Sequence, residues 1–107
     1  MKPIRQSERI MSWIEKHYGE PFRLEELADE LHMSKSYLSR LFRQETGSSI
    51  TGYLTARRIQ QACHLLQSTN KSVEVIGEQV GLTNASYFIN LFKRIMGVSP
   101  HQYHLRL

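Results

Sequence analysis

One cysteine, three prolines and six glycines are all the punctuation that 107 residues carry. The lone Cys63 excludes an internal disulfide framework and fits a reducing compartment, the cytoplasm. No apolar run approaches the roughly 18 residues that a membrane-spanning helix needs. The opening MKPIRQSERI has no apolar stretch behind its basic residues, which argues against a secretory leader. Alternating runs of β-branched residues long enough for a strand are also lacking, so the chain reads as all-α. His101 and His104 stand at i, i+3, but no cysteine or carboxylate cluster joins them. Neither a metal site nor a cofactor is therefore expected.

The charge that is present is unevenly spread. The net +4 comes from 14 basic and 10 acidic residues. Residues 1–46 hold eight of each sign and sum to zero, so residues 47–107 supply the whole excess. A basic surplus of this size is a weak sign of a polyanionic partner. The acids cluster at Glu25, Glu26, Asp29 and Glu30, on what reads as the polar face of a short helix. That face would repel phosphate and should look away from it. A plain solvated surface is the simplest account.

Periodicity and capping signals give about seven helices. The first starts after Ser7, carries Ile10, Trp13, Ile14 and Tyr18 on one face, and stops before Gly19 and Pro21. A short helix follows from Leu24 to Leu31, with Arg23 as a poor cap. A third runs from near Ser34 to Thr46 with Tyr37, Leu38, Leu41 and Phe42 inward, and Gly47 ends it. A long helix, capped by Ser48 or Ser49, reaches about Gln67. Its core candidates are Ile50, Tyr53, Leu54, Ile59, Ala62, Leu65 and Leu66, and Cys63 beside them reads as an inert thiol. Ser72 caps a fifth helix to Val80, and Asn84 or Ala85 starts a sixth that ends near Met96. Ser99 and Pro100 open a last short one, ending between His104 and Leu107.

The chain repeats itself. Leu27-Ala28 recurs as Ile76-Gly77, Leu31 as Val80, Met33 as Leu82 and Ser34 as Thr83, all displaced by 49. Beyond the turn the displacement is 50: Ser36-Tyr37-Leu38 recurs as Ser86-Tyr87-Phe88, Leu41-Phe42-Arg43 as Leu91-Phe92-Lys93, Gly47 as Gly97 and Tyr53 as Tyr103. One extra residue in the second turn accounts for the step. Each copy is a short helix, a tight turn and a longer helix with a basic C-terminal half. That is the helix-turn-helix pattern, in which the second helix enters the major groove of DNA. The expected organisation is a first subdomain over 1–47, a linker helix over 48–68 and a second subdomain over 69–107. The linker, at 1.5 Å per residue, would be about 28 Å long, suited to two helices roughly one duplex turn apart.

Three segments carry a family resemblance: LEELADELHMSKSYLSRLFRQETG, YLTARRIQQACHLL and VIGEQVGLTNASYFINLFKRIMGVSPHQY. Together they resemble the DNA-binding domain of the AraC/XylS family of bacterial transcription regulators, from about Ile10 to Tyr103. Departures from the family's habit are Gly77 for Ala, Leu82 for Phe, Asn90 for Arg and His104 for Arg. The resemblance implies transcription regulation, chiefly activation, with double-stranded DNA as partner. RNA polymerase and an N-terminal sensor or receiver domain are the protein partners it suggests. No membrane is involved.

The resemblance puts Ser36, Ser39 and Arg40 at base-reading positions of the first unit, and Ala85, Ser86, Ile89 and Asn90 at those of the second. Arg40 can pair both acceptors of guanine, Asn90 can pair adenine, and Ile89 can meet a thymine methyl. Lys35, Arg43, Lys93 and Arg94 are expected on phosphates, as are Ser72 and Thr83 through helix-start hydroxyls and N–H groups. Arg57 and Arg58 could serve phosphate contacts or ion pairs between the lobes, the latter preferred for Arg58. Two other readings stand beside this one: a targeting module of a DNA-repair enzyme, and a helical protein-interaction module. No Pro-Cys catalytic motif is present, so the chain itself is read as a non-enzyme.

Overall fold

Most helices among the described residues begin at a side chain that accepts a loose backbone N–H, and the helices Lys35–Thr46 and Ala85–Met96 end at a glycine. The computed structural model describes residues 5–105, which form α1 Gln6–His17, α2 Leu24–Leu31, α3 Lys35–Thr46, α4 Ile50–Ser68, α5 Val73–Gln79, α6 Ala85–Met96 and α7 Pro100–Leu105. No strand occurs among the described residues. The expectation that the last helix could reach Leu107 falls partly on residues 106–107, outside the described residues. All seven expected helices are present, with boundaries within one or two residues of those read from the sequence.

Side-chain caps set the starts of five helices, α3 to α7. The Tyr37 N–H donates to Ser34 Oγ at 3.1 Å, Val75 N–H to Ser72 Oγ at 3.2 Å, and Tyr87 N–H to Asn84 Oδ1 at 2.9 Å. At α7, Ser99 and Gln102 form a reciprocal box: Gln102 N–H donates to Ser99 Oγ at 3.2 Å and Ser99 N–H to Gln102 Oε1 at 3.0 Å. Ser49, not Ser48, caps α4, accepting from Gly52 N–H at 2.9 Å. As expected, Arg23 gives α2 no side-chain cap. The longer helices α3 and α6 end alike, at Gly47 with φ 78° and Gly97 with φ 82°. Their N–H groups donate back to Arg43 O and Lys93 O, both at 2.8 Å, in a left-handed conformation that glycine adopts without a Cβ clash.

The contacts divide the chain into a first unit, Met1–Thr55, and a second, Ala56–Leu107. The first core gathers Ile10 and Ile14 of α1, Leu27, Ala28 and Leu31 of α2, Leu38 and Phe42 of α3, and Ile50 and Leu54 of α4. The second gathers Ile59, Ala62 and Leu66 of α4, Val73 and Ile76 of α5, Val80 and Leu82, and Phe88, Leu91 and Phe92 of α6. Thus α4 is the last helix of one core and the first of the other. An edge-on aromatic pair closes each: Phe42–Tyr53 at 5.8 Å and 74°, Phe92–Tyr103 at 5.6 Å and 75°. Such pairs add about 0.5–1.5 kcal/mol beyond the area they bury.

The structure moves the extra residue of the repeat. Met33 N–H donates to Ala28 O at 3.0 Å and Leu82 N–H to Gly77 O at 2.7 Å, so these turns still match at a displacement of 49. The caps Ser34 and Asn84 already match at 50. Thr83 is therefore the inserted residue. It is not the counterpart of Ser34, and α6 does not start on it.

Candidate nucleic-acid interface

In each unit the second helix of the turn motif has one buried and one open side. On α3, Leu38 and Phe42 are buried, while Lys35, Ser36, Ser39, Arg40 and Arg43 are exposed. On α6, Phe88, Leu91 and Phe92 are buried, and Ser86, Asn90, Lys93 and Arg94 are exposed, with Ala85 and Ile89 half-buried. Burial of the first set follows from helical spacing, since positions three and four apart share a face. The open side is what remains for a partner.

Arg40 projects from the middle of α3 with no ion pair to another described residue. Lys35, one turn earlier, is not equally available. Its Nζ lies 3.0 Å from Glu25 Oε1 of α2, both groups being more than half exposed. The Glu25 carboxyl is held below its ordinary range by its own backbone N–H and then by Lys35. The α2 acids are thus not all remote from the recognition helix: Glu25 reaches its first turn and offsets one of its charges. A pair this exposed is screened by solvent and held weakly, so a phosphate can compete for the lysine.

A second carboxylate also acts across the first unit. Glu45 near the end of α3 accepts from the Ser7 N–H, at 3.0 Å, where α1 begins. The Ser7 hydroxyl and N–H lower its pKa. Nothing in the sequence pointed to this contact between residues 38 apart. The counterpart of Glu45 in α6 is Ile95, and the physical reason is plain. The matching stretch of the second unit lies inside α4, whose N–H groups are already bonded within the helix and need no carboxylate.

Tyr37 corrects another expectation. It was assigned inward on α3, but it is 45% exposed, and its repeat counterpart Tyr87 is 56% exposed. Burial lowers the guanidinium pKa of Arg58, on the part of α4 in the second unit, and Tyr87 lies near it. Arg57 donates to Gln61 Oε1 at 3.4 Å. Ser72 uses its oxygen as the α5 cap and keeps its proton free to donate, and Thr83 is exposed in the turn. Burial pushes the Cys63 thiol up, which suits an unreactive core sulfur. No group of three metal-ligating side chains occurs among the described residues, and none of their helices is long and apolar enough to cross a membrane.

Gly77 stands where the first unit has Ala28. A Cβ placed on it would lie 2.9 Å from both Leu82 O and Phe88 Cδ2. In the first unit the residue matching Phe88 is the smaller Leu38. The two halves have thus exchanged bulk: alanine against leucine in one, glycine against phenylalanine in the other.

A helix-turn-helix domain family matches residues 27–106. The uncharacterized HTH-type transcriptional regulator YisR of Bacillus subtilis is 37% identical over 91 residues, covering 85% of this chain and 32% of YisR. The chain therefore spans about a third of that relative. The C-terminal domain of AraT, a response regulator from Geobacillus stearothermophilus, superposes with a TM-score of 0.91 at 39% identity, covering 94% of this chain and 84% of that one. The DNA-binding domain of the global transcriptional factor AdpA, solved with a target DNA, gives 0.89 at 29% identity, with 96% and 93% covered.

Proposed function

The chain belongs to the AraC/XylS-type helix-turn-helix family, and on that premise we propose that α3 and α6 read DNA in successive major grooves to regulate transcription, chiefly by activation. The observation that carries the reading is the doubled motif itself. Each unit spends its apolar face on its own core and its capping residues on its own backbone, and leaves one side of its second helix open.

In this reading Ser36, Ser39 and Arg40 face bases in the first half of the site, and Ala85, Ser86, Ile89 and Asn90 face bases in the second. Lys35, Arg43, Ser72, Thr83, Lys93 and Arg94 meet phosphates. Arg40 carries most of the specificity, because its guanidinium can engage guanine O6 and N7 together. The second helix offers weaker reading groups, and grip is shared by both halves. The domain acts in the cytoplasm, itself performs no catalysis, and takes its instructions from a sensor or receiver domain, a reading supported by the likeness to the C-terminal domain of the response regulator AraT. RNA polymerase is the further protein partner of this reading.

Titration of duplex DNA at several salt concentrations tests it. Binding should weaken steeply with salt, with a log–log slope of about −0.9 for each phosphate neutralised. Absence of binding, or binding indifferent to salt, would sink the reading.

A further inference from the structure

Between residues 34 and 53 and their counterparts 84 to 103, the two halves of the chain have diverged at most positions. Seven identities survive: Ser36/Ser86, Tyr37/Tyr87, Leu41/Leu91, Phe42/Phe92, Gly47/Gly97, Ser49/Ser99 and Tyr53/Tyr103. The fold accounts for five of them. Leu41, Phe42 and their counterparts lie on the packed side of their helices, although Leu41 is only half-buried. Gly47 and Gly97 adopt a positive φ, and Ser49 and Ser99 are caps. Tyr53 and Tyr103 pack edge-on against Phe42 and Phe92.

Ser36-Tyr37 and Ser86-Tyr87 have no such account. All four residues are exposed, in the first turn of α3 and of α6. No core contact or helix cap requires a serine and a tyrosine there twice, although Tyr87 lies near Arg58 of α4. Burying a phenol ring would be favourable, and neither ring is buried.

Their neighbours on the same helices differ between halves: Lys35 against Ala85, Ser39 against Ile89, Arg40 against Asn90. Residues that read bases should differ when the two half-sites differ in sequence. A residue pair kept the same should meet something the two half-sites have in common. In a duplex that common element is the sugar-phosphate backbone, which is chemically the same in every half-site.

We propose that Ser36-Tyr37 and Ser86-Tyr87 are matching backbone clamps, each donating its hydroxyls to phosphate oxygens where its helix enters the groove. This rests on the DNA-binding reading above, and it moves Ser36 and Ser86 from base reading to positioning. A hydroxyl hydrogen is available on every one of the four side chains, and a phosphate oxygen is a charged acceptor that strengthens such a bond. The clamps fix the register of each helix, and the differing residues beside them then read the sequence.

The test uses the doubly substituted proteins Ser36→Ala/Tyr37→Phe and Ser86→Ala/Tyr87→Phe, which keep the rings and remove only the hydroxyls. Two probes are used: a duplex selected by the unmodified protein from random DNA, and an unrelated duplex of equal length. Each variant should bind both probes at least about 10-fold more weakly, as expected for lost hydrogen bonds to a charged acceptor. Because no charge is removed, the salt slope should be unchanged, and reselection from random DNA should return the same preferred sequence. Melting temperatures close to that of the unmodified protein would exclude a folding effect. Unchanged affinity, or a loss confined to one base position of the selected site, overturns the clamp while leaving the DNA-binding reading in place. If the unmodified protein binds neither duplex, both fall together.

Discussion

The first and second units agree in what they hide and differ in what they present. Phe42 and Phe92, Gly47 and Gly97, Tyr53 and Tyr103 do the same work in each. Outward, the first unit offers Arg40 together with a lysine already paired to Glu25, and the second offers Lys93 and Arg94 beside the smaller Ala85, Ile89 and Asn90. The difference teaches that a duplicated fold tolerates almost any exposed residue, because each surface side chain contributes little to stability. Its core and caps are held to the same solution twice. On the proposed reading, specificity is concentrated in the first half through Arg40, and grip is shared by Arg43 of the first and Lys93 and Arg94 of the second.

The sharpest way to break this comparison is to remove the reading groups one half at a time. Arg40→Ala should weaken binding to a selected duplex by about 1–3 kcal/mol and relax preference at one base pair, while Asn90→Ala should do less. Equal losses, read by titration and reselection, would make the halves equivalent readers.

Next in size is the exchange of bulk around Gly77. Gly77→Ala should destabilise the protein by about 1–2 kcal/mol, because the added methyl meets a backbone carbonyl and the Phe88 ring. Chemical denaturation measures it. The helix gain of alanine over glycine, about 1 kcal/mol, is outweighed. Adding Phe88→Leu should recover part of the loss, since one of the two clashing groups then recedes. A Gly77→Ala protein more stable than the parent would remove the proposed compensation.

Salt dependence separates the two halves more gently. Lys93→Ala and Arg94→Ala should each lower the salt slope by about one, uniformly across sequences. Lys35→Ala should change it less, because Glu25 already offsets that charge in the free protein. A larger change from Lys35 than from Lys93 would show that the pair with Glu25 does not diminish the lysine's contribution.

Acid sensitivity is the smallest expected effect. Glu25 and Glu45 of the first unit both have carboxyl groups held below the ordinary 4.5. Their contribution to stability is therefore complete above pH 4.5 and is lost as pH falls through the lower folded values. Melting temperature followed downward from pH 5 should drop, and Glu45→Gln should flatten part of that drop. An unaltered profile in Glu45→Gln would show that its contact with Ser7 contributes nothing measurable.

Much of this fold was legible because helices announce themselves locally. The apolar spacing of Leu27, Ala28 and Leu31, the cap at Ser72 and the stop at Gly97 each depend on residues within one turn. Thr83 was harder. A threonine and an asparagine in sequence are both acceptable caps, and only the turn hydrogen bond from Leu82 to Gly77 decides which residue is the insertion. Tyr37 was misread because it borders the apolar stripe, where a few tens of degrees of helix rotation separate core from solvent. Its backbone neighbour Leu38 is fully buried.

By itself, the sequence determined the seven helices, their principal caps, the doubled motif and the family, since all of these rest on short-range periodicity or on repetition along the chain. Tertiary structure alone decided that Glu45 meets the start of α1, that Glu25 engages Lys35, that Gly77 has no room for a methyl and that Tyr37 and Tyr87 stand free of their cores. Those are contacts, or missing contacts, between groups far apart in sequence or on the margin of a helix face. Their energies depend on distances that no local pattern encodes.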